Sequence, residues 1–341
     1  MNSLERIFAA VEGKPSDRRA VGVLLSLYGA RLTECPLEEY YTNASAYASG
    51  QTAVRERFQP DLLFAPFVLT AEGEAFGSKV AFFDNQAPNM VRPAVESAEE
   101  AARLSIPDIN SHPRLLFIRE SIRQLASQYG REVPIVGILL GPVDLPALIM
   151  GIDAWLEALL FREKSARLVL DMTTEFFVNW ANTLLSDGAT VLSLPNLCNA
   201  EVVTPKIVRE IAVPVYQEAF KQVKGPIVIH NGGARALPFL EYYASLPNVV
   251  GFVLDSRDSF SEAREKVGVS KVLFGNIEGP TLGKRDVEKV REDCEKVLAD
   301  RSSDMHFVLS TCSADVAYDT PPQNIHAMLQ AAESHAQGAS R

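Results

Sequence analysis

The chain has 341 residues, 47% hydrophobic and 22% charged, which excludes a largely disordered protein and leaves ample material for a core. Lys and Arg number 33 against 43 Asp and Glu, a formal net charge of −10 without the basic balance expected of a nucleic-acid binder. No apolar run reaches the length of about 18 residues that a membrane-spanning helix needs, and MNSLERIFAAVEGKPSDR lacks the basic and apolar regions of a signal peptide. Cys35, Cys198, Cys294 and Cys312 are too few and too scattered for a disulfide scaffold. Reduced thiols in the cytoplasm are therefore expected.

Helical spacing at Leu4, Ile7, Phe8 and Val11 predicts a helix over Ser3–Glu12. Eight short apolar runs follow, each bounded by turn residues: Ala20–Gly29, Leu62–Leu69, Val133–Gly141, Thr190–Asn196, Pro226–Gly232, Val249–Ser256, Lys271–Ile277 and His306–Cys312. Runs of this kind suit strands buried on both faces. Helical periodicity separates the later ones, over Ala154–Leu185, Pro205–Gln222, Ala236–Ala244, Ser259–Val267, Arg285–Leu298 and Pro322–Glu333. Eight strands alternating with helices predict an α/β protein, a (β/α)8 TIM barrel spanning 1–341 as one domain with an N-terminal helical extension. EGEAFGSKVAFFDNQAPNMVRP reads as a hairpin-like excursion after the second strand, with Asp84-Asn85 at its turn and a lid as one role for it.

In such a barrel the chemistry sits at the C-terminal ends of the strands. Those ends carry Ser26, Tyr28 and Arg31; Pro66, Glu72 and Glu74; Asp144; Asn196, Cys198 and Glu201; His230, Asn231 and Gly232; Asp255; Asn276 and Glu278; and Cys312 with Asp315. One histidine, two thiols and several carboxylates thus face one mouth, a donor set of the hardness zinc prefers. His230, Cys312, Glu201 and Cys198 are the candidate metal ligands, and His230, Asp255 and Asn276 the candidate catalytic residues. Tyr28, Asn196 and Asn231 are candidates for cofactor contact. Cys198 alone also suits a small buried hydrophobe, and Cys294, inside VEKVREDCEKVL, reads as structural.

The segments APFVLTAEGEAFGSKV, GILLGPVDLPALIMG, V-I-H-N-G-G at His230, V-L-F-G-N-I at Asn276 and LSTCSADVAYDTPPQNIHAM resemble the uroporphyrinogen decarboxylase superfamily, in its methylcobalamin:coenzyme M methyltransferase branch. The resemblance implies a (β/α)8 barrel that moves a methyl group between a corrinoid and a small donor or acceptor: a methyl ether, methylamine, thiol or pterin. It implies zinc held by a His-x-Cys motif and a second Cys; His230 and Cys312 match, whereas Gly232 stands at the first Cys. No corrinoid-binding Asp-x-His-x-x-Gly motif occurs, so the methylcobalamin is expected on a separate corrinoid protein, while the outer helices leave room for a homodimer. Two alternatives stand beside this reading. One is a small-molecule-binding relative with an altered catalytic site. The other is a uroporphyrinogen decarboxylase, against which stand Pro66 at the position of the decarboxylases' aspartate and Arg31 as the sole remnant of their arginine clamp.

Overall fold

The computed structural model describes residues 1–196 and 198–339. Its strands are β1 (Val21–Gly22), β2 (Leu63–Phe64), β3 (Lys79–Ala81), β4 (Asn89–Arg92), β5 (Ile135–Ile138), β6 (Val191–Pro195), β7 (Ile227–His230), β8 (Val249–Val253), β9 (Val272–Glu278) and β10 (Phe307–Cys312). Each of the eight apolar runs supplies one strand of a parallel sheet ordered β1-β10-β9-β8-β7-β6-β5-β2. The two ends of that order meet, because the Asp61 amide donates to the Val21 carbonyl at 2.9 Å. The sheet thereby curls into the (β/α)8 barrel that the alternation predicts.

Period-2 alternation divides the strand residues between two cores. Ile227, Ile229, Leu273, Phe307 and Leu309 pack outward in the large cluster shared with the helices. Val228, Val272, Phe274 and Val308 form a smaller cluster inside the barrel. The predicted helix Ser3–Glu12 supplies Ile7 and Ala10 to that inner cluster. An Asn2/Glu5 capping box starts this helix and Gly13, at φ +65°, ends it. It forms the barrel floor, with the Leu4 amide on the Glu132 carbonyl at 2.7 Å.

Asp61 fastens floor to barrel. Its fully buried carboxylate accepts from the Val21 amide (2.8 Å), Ser3 Oγ (2.9 Å), Arg6 Nη1 (2.6 Å) and Arg18 Nη1 (2.6 Å). After β2 the chain makes the predicted excursion. The helix Thr70–Ala75 leads into the antiparallel pair β3–β4, with Asp84 and Asn85 in the connecting bend.

Three stretches depart from the expected elements. The first run predicts a strand through Gly29, but only Val21 and Gly22 pair; Tyr28–Leu32 is a short helix. The chain leaves the sheet where Ser26 is seized by the Tyr40 and Tyr47 hydroxyls and the Gln51 amide. The periodicity over Ala154–Leu185 belongs to two helices, Ile152–Phe161 and Glu163–Ser186. In one straight helix Trp155 and Thr173 would lie about 27 Å apart. Both instead donate to adjacent carbonyls, Trp155 Nε1 to Val143 (2.9 Å) and Thr173 Oγ1 to Pro142 (2.7 Å), which requires the break at Arg162. Over Pro205–Gln222 the helix widens into a π turn at Val208–Ala212, just ahead of Pro214, which has no N–H to return. Helices Ala44–Phe58 and Pro113–Tyr129 complete the crossovers on either side of β2.

Replacing Asp61 with Ala removes the buried counter-charge that Arg18 and Arg6 share at a closed seam and leaves Arg6 only Asp17. The expected loss is about 3–5 kcal/mol of folding stability, read from the urea denaturation midpoint, with a far smaller loss for Asp17→Ala, whose carboxylate is 44% exposed.

Candidate active site at the barrel mouth

The inward parity that buries Val228 carries His230 to the barrel mouth, and the parity of Val308 does the same for Cys312. A tight turn follows His230, with Gly232 and Gly233 at φ +59° and +92°. The turn aims the Gly232 amide back at His230 Nδ1, 3.0 Å away. Accepting that bond leaves Nδ1 without a proton, so neutral His230 carries its hydrogen on Nε2. Burial lowers the imidazole pKa from 6.5 to about 4, so the ring is neutral at physiological pH. Phe67 stands beside it, ring centroids 6.4 Å apart.

Cys312 Sγ lies 3.8 Å from Glu278 Oε2, and the same oxygen accepts from Ser256 Oγ at 3.1 Å. Burial, reinforced by the Glu278 charge, raises the thiol pKa to about 12, so Cys312 is a protonated thiol. Asp255 is buried, and its carboxylate is occupied by Arg257, through Nε at 2.6 Å and the backbone amide at 3.0 Å. Arg257 also reaches Glu201 Oε1 (3.3 Å) and the Gly233 carbonyl (2.9 Å), and so straps together the loops after β6, β7 and β8. Asn276 Nδ2 is spent on the carbonyls of Asp255 and Asp258. Among the described residues Asn196 Oδ1 and Asn231 Nδ2 are buried without a hydrogen-bond partner, and the Asn196 side chain meets Tyr243 of the outer core.

Other sequence candidates lie elsewhere. Cys198 is enclosed by the outer core; its amide donates to Asp144 Oδ1 (2.9 Å), its carbonyl accepts from Tyr243, and burial raises its thiol pKa. Tyr28, a candidate for cofactor contact, is fully buried and gives its hydroxyl to the Thr320 carbonyl (2.7 Å). Glu74 pairs with Arg114 at 2.6 Å. Glu72 accepts from the Leu140 amide and Trp180 Nε1, and burial raises its pKa to about 8. Cys294 is buried in its helix, as the sequence indicates. Glu278, absent from the expected catalytic set, is the acid nearest the Cys312 thiol; its signal is the alternation of Val272, Phe274, Asn276 and Glu278 along β9.

These donors do not fit the expected zinc. Among the described residues no three His, Cys, Asp or Glu side chains form a metal-binding group. His230 would have to surrender the Gly232 bond to offer Nε2 as a ligand, and Gly232 brings no thiol of its own. Glu201 and Asp255 share Arg257, and Cys198 faces the outer core.

The uroporphyrinogen decarboxylase (URO-D) family model matches residues 2–335. A methylcobamide:CoM methyltransferase MtbA of Methanosarcina acetivorans is 26% identical over 97% of each chain, and an MtaA of Methanosarcina barkeri is 24% identical over 97% of each. A uroporphyrinogen decarboxylase of Paraburkholderia phytofirmans is 23% identical over 90% of this chain and 82% of its own. Among solved structures, a methyltransferase from Methanosarcina mazei superposes with a TM-score of 0.86 at 22% identity, covering 98% of this chain and 99% of that one. No helix among the described residues is long and apolar enough to cross a membrane.

Two of the shifted groups, His230 and Glu72, give stability opposite pH slopes. His230 is harder to protonate folded than unfolded, so its contribution is full above about 6.5 and fades as pH falls toward about 4. Glu72 is protonated in the fold, so its contribution is full below about 4.5 and fades as pH rises through about 8. Glu72→Gln is therefore expected to melt higher than wild type at pH 8.5 and to flatten the alkaline limb of a melting-temperature profile. Nitrogen NMR of His230 is expected to show the Nε2-protonated tautomer at pH 7.

Proposed function

We propose that this chain, which belongs to the uroporphyrinogen decarboxylase family, transfers a methyl group from a small-molecule donor to a corrinoid carried by a separate protein. Curated relatives named as methylcobamide:CoM methyltransferases, aligned over nearly the full length of both chains, support methyl transfer. The observation that carries the direction is the neutral His230, which presents Nε2–H rather than a metal-binding lone pair at the mouth.

The corrinoid would supply the cobalt that accepts the methyl group. The chain's own residues would bind and orient the donor and keep water from the reacting carbon. When the carbon–heteroatom bond breaks, negative charge grows on the departing oxygen or sulfur, and a buried N–H aimed at that atom stabilises it. His230 Nε2 is such a donor, with Phe67 shielding its ring. Asn231 Nδ2, in the turn that follows His230, would supply an unspent polar contact for orientation. Cys312, protonated beside Glu278, is held as a hydrogen-bonding thiol rather than a nucleophile. No step runs through zinc.

Decarboxylation of a porphyrinogen is disfavoured by two further observations. Pro66 stands where the decarboxylases' aspartate is expected, and the Arg31 guanidinium is bonded to the Tyr318 and Thr320 carbonyls, out of service as a carboxylate clamp. The four cysteines are unpaired, which suits a reducing cytoplasm.

With a methyl-accepting corrinoid protein and candidate methyl ethers, thioethers and amines, turnover is followed by the visible spectrum of the corrinoid. His230→Ala is expected to cut the rate about 10²- to 10³-fold, and His230→Gln, which keeps an N–H donor, to retain more of it. Cys312→Ser is expected to be mild. Stoichiometric zinc in wild type that is lost together with activity in Cys312→Ser would overturn this mechanism.

A further inference from the structure

The interior of a (β/α)8 barrel is ordinarily filled by layers of bulky branched side chains. This barrel carries small residues at three inward positions, Gly22, Ser193 and Ser310. A Cβ on Gly22 would come within 2.9 Å of Leu62 and 3.5 Å of Ser310, so a larger residue there would crowd the interior. Beside them lies a partly open cavity of about 130 Å³ that extends from the half-exposed Phe8 and from Val11 of the floor helix to His230. Val136, Val228 and Phe274 form its apolar walls. Ser310 Oγ, on a residue only 5% exposed, has no hydrogen-bond partner among the described residues.

Unfilled core volume destabilises a protein roughly in proportion to its size, and a dry apolar cavity of about 150 Å³ suffices to bind benzene. A buried hydroxyl without a partner is itself expensive unless something meets it. We infer that this chamber is a binding site for a benzene-sized apolar group bearing one hydrogen-bonding heteroatom: an aromatic ring, or a branched chain of about six carbons. Ser310 is the polar contact within, and His230 closes the end nearest the mouth. The identification of this guest as the methyl donor, an aryl or branched-alkyl methyl ether or thioether, rests on the proposed methyl transfer; the binding itself does not.

The test uses the full chain and benzene, phenol and xenon as probes. Calorimetry and ligand NMR are expected to show saturable binding of benzene, one per chain, and xenon NMR an independent bound signal in wild type. Val228→Phe and Ser310→Leu, which fill the chamber, are expected to weaken benzene at least about tenfold. Ser310→Ala is expected to weaken phenol more than benzene. Circular dichroism identifies the variants that fold; if neither filled variant does, wild-type xenon and benzene binding decide. Absence of saturable binding in wild type, or undiminished binding in a folded filled variant, overturns the chamber. Benzene binding without methyl transfer removes the proposed function and leaves the chamber standing; methyl transfer without benzene binding does the reverse.

Discussion

A parallel sheet of eight strands ends in two edges, and the unpaired amides and carbonyls along them must be met. The seam between β1 and β2 is short: β1 has two residues and β2 has two. One carboxylate does what a longer ladder would otherwise do. Asp61 bonds the Val21 amide through its side chain while its own amide meets the Val21 carbonyl, and it gathers Ser3, Arg6 and Arg18 from the floor. Convergence of the eight strand ends on one mouth follows from closure at this seam.

Above that seam the mouth is organised by backbone turns and one arginine. Arg257 ties three loops together while consuming Asp255 and part of Glu201. The turn at Gly232 takes the lone pair of His230 Nδ1 and so chooses the tautomer. The same turn thereby removes a thiol from the donor set and turns the imidazole from ligand to hydrogen-bond donor. A cysteine at that place would carry backbone strain, because φ near +59° is a left-handed conformation that residues with a Cβ adopt less readily than glycine.

The eight strands were legible because runs such as Ile227–His230 are apolar, short and bounded by turn residues, and their order follows from the right-handed crossover of parallel strands. His230 was legible for the same reason, as the polar residue that ends a buried run. Cys198 was ambiguous: position after a strand places it near the mouth, but the loop turns it toward Asp144 and Tyr243, whose packing no local pattern reveals. Tyr28 misled because an apolar run does not say where strand pairing stops; that is decided by Tyr40, Tyr47 and Gln51, residues downstream. Asp61 gave no signal, since its partners come from the N-terminal segment and its role appears only when the edges meet. Glu278 was in view at a strand end, and alternation along β9 was the cue that could have ranked it with Cys312.

The pairing of Val21 with Leu309 has a consequence for how the protein comes into being. Its first strand emerges from the ribosome early and finds its hydrogen-bonded neighbour only when β10, near the end of the chain, has been made. Until then the floor helix has no finished barrel to seal. Such a chain has a high contact order and a slow closing step. Until that step its apolar sheet edges are unpaired, the kind of exposure that makes folding intermediates prone to aggregate.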